Sequence, residues 1–262
     1  RDRYVNLSHP NHVQQSEVAY FHGCAANYFD DGVGDAVIGL LEDRGVKVAL
    51  PPQRCSGTPI ETYGLRELVK EGARENLKNL RKFETVVTSC ASCTLSLKDY
   101  ARLFHGEPEE ADALTLQGKI RHISEFLLES GHSHQNHQGT PASTNRNNLK
   151  VTYHSSCHLR AAGVSQAPRD LLASLPDLEF VEMPDADRCA GGAGTYMVKN
   201  YEVSQEIFQR KKQAIEKSGA QVVVTSCPAC LIQLKNGLSE IIQVKHIAEV
   251  MREHADASQG QN

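Results

Sequence analysis

The stretch Thr225-Ser226-Cys227-Pro228-Ala229-Cys230 follows directly on the apolar run Val222-Val223-Val224, and it places two thiols one tight turn apart. A second copy, Thr88-Ser89-Cys90-Ala91-Ser92-Cys93, follows Val86-Val87 in the first half of the chain. An internal copy of this kind indicates two similar structural units. The chain is therefore predicted to be a tandem repeat in which the cysteines are the repeated part.

All eight cysteines belong to the repeat. In the first half, 30 residues separate the first cysteine from the second and 34 separate the second from the CxxC pair; in the second half these spacings are 31 and 37 residues. Unrelated buried cysteines are not expected to share one spacing, so we predict a common task for them. The eight candidate ligands are Cys24, Cys55, Cys90 and Cys93 in the first half, and Cys157, Cys189, Cys227 and Cys230 in the second.

Apolar runs and helical periodicities alternate along each half. This alternation predicts an α/β protein of two pseudo-symmetric lobes, each a small, mostly parallel sheet with flanking helices. Strands are predicted at 18–21, 46–50, 85–88, 151–154, 178–183 and 222–225, and helices at 35–44, at 65–82, from near Leu95, around 171–175 and at 201–217. The predicted domains are an N-terminal arm at 1–17, a first cysteine-rich lobe at 18–129, a linker at 130–149, a second cysteine-rich lobe at 150–252 and a tail at 253–262.

The cysteines lie where the predicted strands end or in the loops just beyond them. In parallel α/β sheets, the carboxyl ends of the strands meet at one edge, and ligands normally bind there. The four cysteines of each half are therefore expected to converge although they are far apart in sequence.

Four converging thiolates can hold a zinc ion or an iron-sulfur cluster, because both are served by sulfur ligands. Structural zinc usually sits on two short-spaced pairs of ligands, whereas each half of this chain has one such pair and two single cysteines. The scattered spacing therefore favours an iron-sulfur cluster, with zinc as the alternative.

Other interpretations of these residues stay open. The glycine-rich segment at 189–194 lets the backbone approach a bulky inorganic core, and it could also form a phosphate loop, although no GxGxxG or Walker pattern is present. A CxxC pair at a helix N-terminus can instead be a dithiol redox couple, which would leave the four single cysteines without a task. His22, His154 and His158 adjoin the cysteines and can ligate or hydrogen-bond there, although a histidine satisfied by backbone is the commoner outcome.

Composition excludes several classes of protein. The net charge of -4 gives no reason to expect a nucleic-acid partner. The apolar runs are too short to span a bilayer, and the start of the sequence does not show the basic-then-apolar pattern of a secretory signal. The cysteines are too sparse for a disulfide scaffold and suit a reducing compartment. We therefore expect a cytoplasmic chain.

Taken together, these features resemble the cysteine-rich (CCG) domain family, in which a cysteine, a Cys-Cys-Gly motif and a CxxC motif follow one another, twice per chain. The family includes the B component of heterodisulfide reductase and the iron-sulfur subunits of glycolate oxidase, lactate utilisation and anaerobic glycerol-3-phosphate dehydrogenase. The resemblance covers about residues 18 to 251. The stretches at 189–196 and 244–250 look close to the lactate and glycolate branches, whereas the stretch at 21–29 looks more like the glycerol-3-phosphate branch.

The resemblance implies an electron-transfer subunit of a larger oxidoreductase complex, which contacts the inner face of the cell membrane only peripherally or through a partner. Its expected partners are a flavin-containing dehydrogenase subunit, of the 2-hydroxyacid or glycerol-3-phosphate type, and a further electron carrier such as a quinone. Two alternatives come from other classes. One is a structural subunit with four-cysteine zinc sites and no redox role, and the other is a heterodisulfide or thiol-disulfide reductase subunit.

The chain departs from the family pattern at one position of each repeat. The second cysteine of Cys-Cys-Gly is replaced by Ser56 after Cys55 and by Ala190 after Cys189. Four thiolates suffice for a cubane 4Fe-4S cluster, but not for the five-thiolate noncubane cluster of the heterodisulfide reductase branch. We therefore expect noncubane disulfide chemistry to be lost, with Ser56 as a weaker oxygen ligand at most. The expected cofactors are one or two 4Fe-4S clusters, and where only one lobe holds a cluster the other holds zinc or nothing.

Overall fold

The structure is a computed structural model, and it describes residues 17–131, 148–238 and 242–259. The chain divides into two compact units. The first unit comprises the described residues up to Ile123 together with those from Ala248 onward, and the second comprises Ser124–Ile247.

The first half of the chain alternates strands and helices, as predicted. Its elements are β1 (Glu17–Phe21), α1 (Gly23–Tyr28), α2 (Asp31–Glu42), β2 (Lys47–Ala49), α3 (Thr58–Glu61), α4 (Arg66–Leu80), β3 (Val86–Thr88), α5 (Ala91–Lys98), α6 (Tyr100–Leu103), α7 (Glu110–Lys119), β4 (Ile120–His122) and α8 (Ile123–Glu129).

The second half repeats the order with fewer helices. Its elements are β5 (Leu149–Tyr153), α9 (Cys157–Ala161), α10 (Ala167–Ala173), β6 (Leu178–Phe180), α11 (Tyr196–Lys199), α12 (Tyr201–Ser218), β7 (Val222–Thr225), α13 (Pro228–Gly237), β8 (Gln243–His246) and α14 (Ile247–Gln259).

Each unit contains one four-stranded, fully parallel sheet, which confirms the predicted fold class. The strand orders are β2-β1-β3-β4 and β6-β5-β7-β8. The chain therefore reverses its direction of winding between β1 and β3, and again between β5 and β7. Such a switch point leaves a crevice at the carboxyl ends of the two central strands, where ligands bind in open α/β sheets.

Burial explains why the central strands were predictable. All residues of β3 and β7 are buried, because a central parallel strand is covered on both faces. On α4, the residues with helical spacing, Val69, Ala73, Leu77 and Leu80, are buried as well.

The strands β4 and β8 and most of the shorter helices were not predicted, and one predicted helix begins earlier than expected. The edge strands β4 and β8 contain charged and polar residues, so they lack the apolar run of a central strand. The helix expected to begin near Leu95 begins at Ala91. Cys90 is its N-cap, and the Cys90 Sγ accepts a hydrogen bond from the Cys93 backbone N–H at 3.4 Å.

The last helix groups with the first unit although it follows the last strand of the second. On α14, Met251 is buried and Arg252 donates to the Asp43 carboxylate, next to the end of α2. The helix runs to Gln259, into the stretch assigned to the tail. Most of the predicted N-terminal arm and linker lies outside the described residues, and the domain boundaries stay a prediction.

Candidate metal centres

The first centre lies at the carboxyl ends of β1, β2 and β3. Cys24 is in the first turn of α1, Cys55 is in the loop between β2 and α3, and Cys90 and Cys93 begin α5. Cys90 and Cys93 are buried, whereas Cys24 and Cys55 are half-buried. Three separate strand ends thus deliver the four thiols to one edge of the sheet.

The thiols of the first unit interact with one another. Cys24 and Cys55 share a hydrogen bond, and so do Cys90 and Cys93. The Cys24 hydrogen bond lowers the pKa of Cys55 to about 6 although burial opposes it, whereas the same bond and burial raise the pKa of Cys24 far above its ordinary value. One thiol of this hydrogen-bonded pair therefore deprotonates more readily than an isolated cysteine, and the thiolate is the form that a metal requires.

The second centre has the same construction at the ends of β5, β6 and β7. Cys157 begins α9, Cys189 lies in the loop after β6, and Cys227 is the N-cap of α13, which contains Cys230. The hydrogen bond with Cys227, burial and the nearby charges of Cys227, Cys189 and Cys157 raise the pKa of Cys230 well above its ordinary value. Cys157 and Cys189 are exposed, so this centre is more open to solvent than the first.

Glycines let the backbone approach the sulfur atoms. Gly23 has a φ of +68°, and a Cβ on it would lie 2.9 Å from the Cys93 Sγ. In the second unit, the Gly191 N–H donates to the Cys189 Sγ at 3.2 Å. The glycine-rich segment predicted to wrap an inorganic core thus directs a backbone donor at the sulfur of a candidate ligand, Cys189.

The two residues that replace the second cysteine of Cys-Cys-Gly differ in polarity. Ser56 is buried, and its hydroxyl donates to the Cys93 Sγ at 3.5 Å, while Ser96 and Tyr100 donate to its carbonyl oxygen. Ala190 is fully buried and has no polar side-chain atom. The first unit therefore has one more polar group beside its sulfurs than the second.

A polar side chain from the long helix of each unit holds the loop in front of the second cysteine. Asn76 on α4 makes two hydrogen bonds with the backbone of Arg54, next to Cys55. On α12, Lys211 donates from Nζ to the carbonyl oxygens of Asp185 at 2.6 Å and Ala186 at 3.2 Å, close to Cys189. Sequence reasoning missed both residues, because nothing in the pattern of a helix marks which polar residue faces inward.

The three histidines next to the cysteines have different environments. His22 is buried and its Nδ1 lies 2.8 Å from the Gly23 carbonyl oxygen, which is the backbone-satisfied outcome. His154 is buried just after β5 with neither ring nitrogen hydrogen-bonded among the described residues, and burial lowers its pKa to about 3. His158 is half-buried on α9, and burial lowers its pKa.

A cavity of about 670 Å³ opens beside Cys24 and Cys55 in the first unit. Tyr28 and Leu68 form part of its wall, together with an ion pair of Arg54 and Glu75 at 2.8 Å. The first centre is thus reachable from one side through a lining of mixed polarity.

The donor set fits a thiolate-bound metal centre. All eight cysteines are free thiols, and each unit presents four at one sheet edge. Soft thiolate ligands select zinc and iron-sulfur clusters over hard cations. Within the described ranges, no three histidine, cysteine, aspartate or glutamate side chains are placed to hold a single metal ion.

Comparison with known proteins agrees with this repeated site. A family model described as a cysteine-rich domain (CCG) matches residues 18–98 and 151–235, once in each half. The chain belongs to the cysteine-rich domain family. Each matched segment begins at a first central strand and ends just after a CxxC pair, so the family's repeat coincides with the two sets of four cysteines.

Relatives of this cysteine-rich domain chain include lactate utilization protein A from Geobacillus kaustophilus, which is 34% identical over 90% of this chain and 98% of its own length. Lactate utilization protein A from Bacillus subtilis is 31% identical over 90% of this chain and 98% of its own length. The B component of the fumarate reductase (CoM/CoB) from Methanothermobacter marburgensis is 31% identical over 90% of this chain and 46% of its own length. A glutamate racemase structure from Bacillus anthracis aligns with 95% of this chain and 83% of its own length, at 12% sequence identity. Its TM-score of 0.35 is too low to support a conclusion.

Within the described residues, no helix combines the length and the apolar character needed to cross a bilayer.

Proposed function

We propose that this chain is an iron-sulfur electron-transfer subunit of an oxidoreductase complex. One 4Fe-4S cluster is held in the first unit by Cys24, Cys55, Cys90 and Cys93, and one in the second by Cys157, Cys189, Cys227 and Cys230. The observation that carries the proposal is the repeated set of four free thiols at the switch point of each sheet. When bound, such a cluster accepts and releases single electrons.

The protein's own groups support a cluster more than zinc. Ser56 and the Gly191 N–H both donate hydrogen bonds to ligand sulfurs, and such donors tune the potential of a cluster. The single cysteines come from separate strands, which suits four irons that each bind one thiolate. A purely structural zinc site made of four cysteines usually uses two short-spaced pairs.

The relatives support a role in 2-hydroxyacid oxidation, since several are named lactate utilization protein A. We infer that the chain receives electrons from a flavin-containing dehydrogenase subunit and passes them to a quinone or another carrier. The glycerol-3-phosphate type of dehydrogenase is the second possibility for that partner. Its place of action is the cytoplasm, where free thiols persist, with contact to the membrane through a partner.

Reduction of a disulfide is the other candidate, and two observations favour it. One relative is named as a component of a fumarate reductase (CoM/CoB), and the first unit has a cavity beside Cys24 and Cys55. Against it, Ala190 offers no ligand atom and Ser56 offers only a hydroxyl, so neither unit has five thiolates. Electron relay is therefore the function that the site supports best.

The test is iron and acid-labile sulfide content of anaerobically prepared protein, followed by EPR after reduction with dithionite. We expect about eight irons and eight sulfides per chain, and reduced-cluster signals from both units. Cys93→Ser and Cys230→Ser should each remove about half of the iron, because each disrupts one four-thiolate set. Bound zinc without sulfide would overturn the redox function and leave a structural role.

A further inference from the structure

Lys211 is a buried cation close to the second centre. Only 1% of the residue is exposed. Its Nζ donates to the carbonyl oxygens of Asp185 and Ala186, and the Met183 Sδ lies 3.9 Å away. Among the described residues, it forms no ion pair with a carboxylate. An ammonium group held only by neutral acceptors is costly to bury, so a counter-charge is expected nearby.

The nearby carboxylates do not supply that charge well. The side chains of Asp185 and Asp187 are each more than half exposed. The Asp185 carboxylate lies 3.4 Å from the Arg188 guanidinium, and the Asp187 carboxylate lies 3.6 Å from that of Arg160. Burial lowers the pKa of Lys211 to about 8, and the charges of Asp187, Asp185, Cys230 and Cys189, in that order, oppose this shift. Because the two carboxylates are solvated and already paired, they balance the buried charge only in part, and the Cys230 and Cys189 sulfurs are the further anions near it.

The first unit has no equivalent charge at the corresponding position. Asn76, which holds the corresponding loop there, is neutral and bonds to Arg54 and to the Tyr100 hydroxyl. The first central strand, β1 in the first unit and β5 in the second, also differs in polarity between the two units.

The register of the central strands shows this second difference. Ala19 lies opposite Val86 in the first unit, whereas Thr152 lies opposite Val223 in the second. Two residues after Ala19, the first unit has Phe21. Two residues after Thr152, the second unit has His154. Both Thr152 and His154 are buried with side-chain atoms that lack hydrogen-bond partners among the described residues. The second centre therefore has the buried charge of Lys211 and two buried polar side chains, Thr152 and His154, where the first has neutral Asn76, Ala19 and Phe21.

We propose that Lys211 is the counter-ion of the second centre and gives that centre the higher reduction potential of the two. This inference rests on the proposed function, namely that both units bind a cluster. A cluster on four thiolates is negatively charged, and one electron from the reductant makes it more negative without forming or breaking a covalent bond. A nearby ammonium stabilises the more negative form, so the first electron added to the protein resides on the second centre.

The Ser56 hydroxyl acts in the same direction on the first centre, because it donates to the Cys93 Sγ. It is a neutral dipole at 3.5 Å, and a full charge in a buried site has the stronger effect. The greater exposure of Cys157 and Cys189 adds to the difference in favour of the second centre.

Three variants separate the charge of Lys211 from its hydrogen bonds. Lys211→Gln retains a donor for the loop carbonyls but is neutral, Lys211→Met removes both properties, and Lys211→Arg retains the charge. Lys217→Met, on the exposed face of the same helix, is the matched control. Each intact, iron-loaded protein is titrated with dithionite at pH 7 and followed by EPR, and Cys230→Ser identifies the signal of the second centre.

In the unmodified protein, we expect the signal of the second centre to appear first. Lys211→Gln and Lys211→Met should shift the reduction potential of only that signal to more negative values. Lys211→Arg, which keeps the charge, should have the same potential as the unmodified protein. An unchanged potential in Lys211→Gln would overturn the counter-ion role, because it would show that holding the loop is sufficient. A protein that binds no iron and sulfide would instead contradict the proposed function, so the two failures are distinguishable. If Lys211→Met does not fold, Lys211→Gln alone decides.

Discussion

The hydroxyl oxygens of Tyr20 and Ser89 lie 2.8 Å apart, at the ends of the two central strands of the first unit. Tyr153 and Ser226 form the same pair at 3.0 Å in the second unit. Each serine is the residue immediately before a CxxC pair, and each tyrosine lies four residues before the first cysteine of its repeat. The pair therefore ties together the two strands that carry three of the four thiols.

Tyr153→Phe removes this bond while keeping the shape of the side chain. We expect the free energy of unfolding to fall by about 1 kcal/mol, because a buried hydrogen bond contributes about that much. Chemical denaturation followed by circular dichroism measures it. Tyr201→Phe, at an exposed tyrosine, is the control, and an equal effect of the two changes would contradict the structural role of the pair.

Gly23→Ala should impair the first centre. A Cβ at this position lies 2.9 Å from the Cys93 Sγ, so the ligand sulfur must move. Gly45→Ala is a matched control, because Gly45 has a similar φ of +71° and open space around its Cβ. We expect both variants to lose about 1 kcal/mol from backbone strain.

Only Gly23→Ala should also lose about half of the bound iron, since it disturbs one of the two proposed four-iron centres. Full iron content in Gly23→Ala, measured beside Gly45→Ala, would show that the backbone approach to Cys93 is not required.

Ser56→Ala removes the hydroxyl that donates to the Cys93 Sγ. A hydrogen bond to a ligand sulfur stabilises the reduced cluster, so its loss should shift the potential of the first centre to more negative values. The potential of the second centre should stay the same. EPR-monitored titration measures both, and Ser218→Ala at the end of α12 serves as the control.

His154 should make folding depend on pH. Its pKa is lowered to about 3 by burial, with the charges of Lys211 and Arg160 adding to the effect, whereas the ordinary value is 6.5. Below pH 6.5 the unfolded chain therefore binds a proton at His154 that the folded chain does not bind. The contribution of His154 to the free energy of unfolding is thus fully present above pH 6.5 and is lost as the pH falls toward 3. Between about pH 7 and pH 5 this group alone removes about 2 kcal/mol.

The variant that tests this is His154→Phe, because Phe21 occupies the corresponding strand position in the first unit. Denaturation curves at pH 7, 6 and 5 should show a smaller loss of stability in the variant than in the unmodified chain. Equal pH dependence of the two proteins would contradict the assignment to His154.

Met251→Ala should destabilise the first unit, because Met251 is 1% exposed on α14, which groups with that unit. Truncation of a buried methionine costs about 2–5 kcal/mol. Glu253→Ala on the exposed side of the helix is the control, with an effect of about 0.5 kcal/mol or less. Limited proteolysis should show earlier cleavage within residues 17–123 in the Met251 variant alone.

The central elements of the fold could be predicted from local patterns. Val86-Val87 and Val222-Val223-Val224 are apolar runs that need cover on both faces, and the apolar positions of α4 repeat with helical spacing. The edge strands β4 and β8 could not be predicted, because their polar residues satisfy no local period. Their place depends on hydrogen bonds to the adjacent central strands, which form only in the assembled sheet.

Local patterns were enough to establish the tandem repeat, the α/β class and the eight thiols, because strand and helix periods and cysteine spacings are properties of short segments. Which polar side chains face the thiols depends instead on the folded chain. Lys211 and Asn76 occupy similar helices, but one places a charge behind its centre and the other does not. That difference depends on which loop packs against each helix. Such contacts join segments far apart in the chain, so they cannot be inferred from any local pattern.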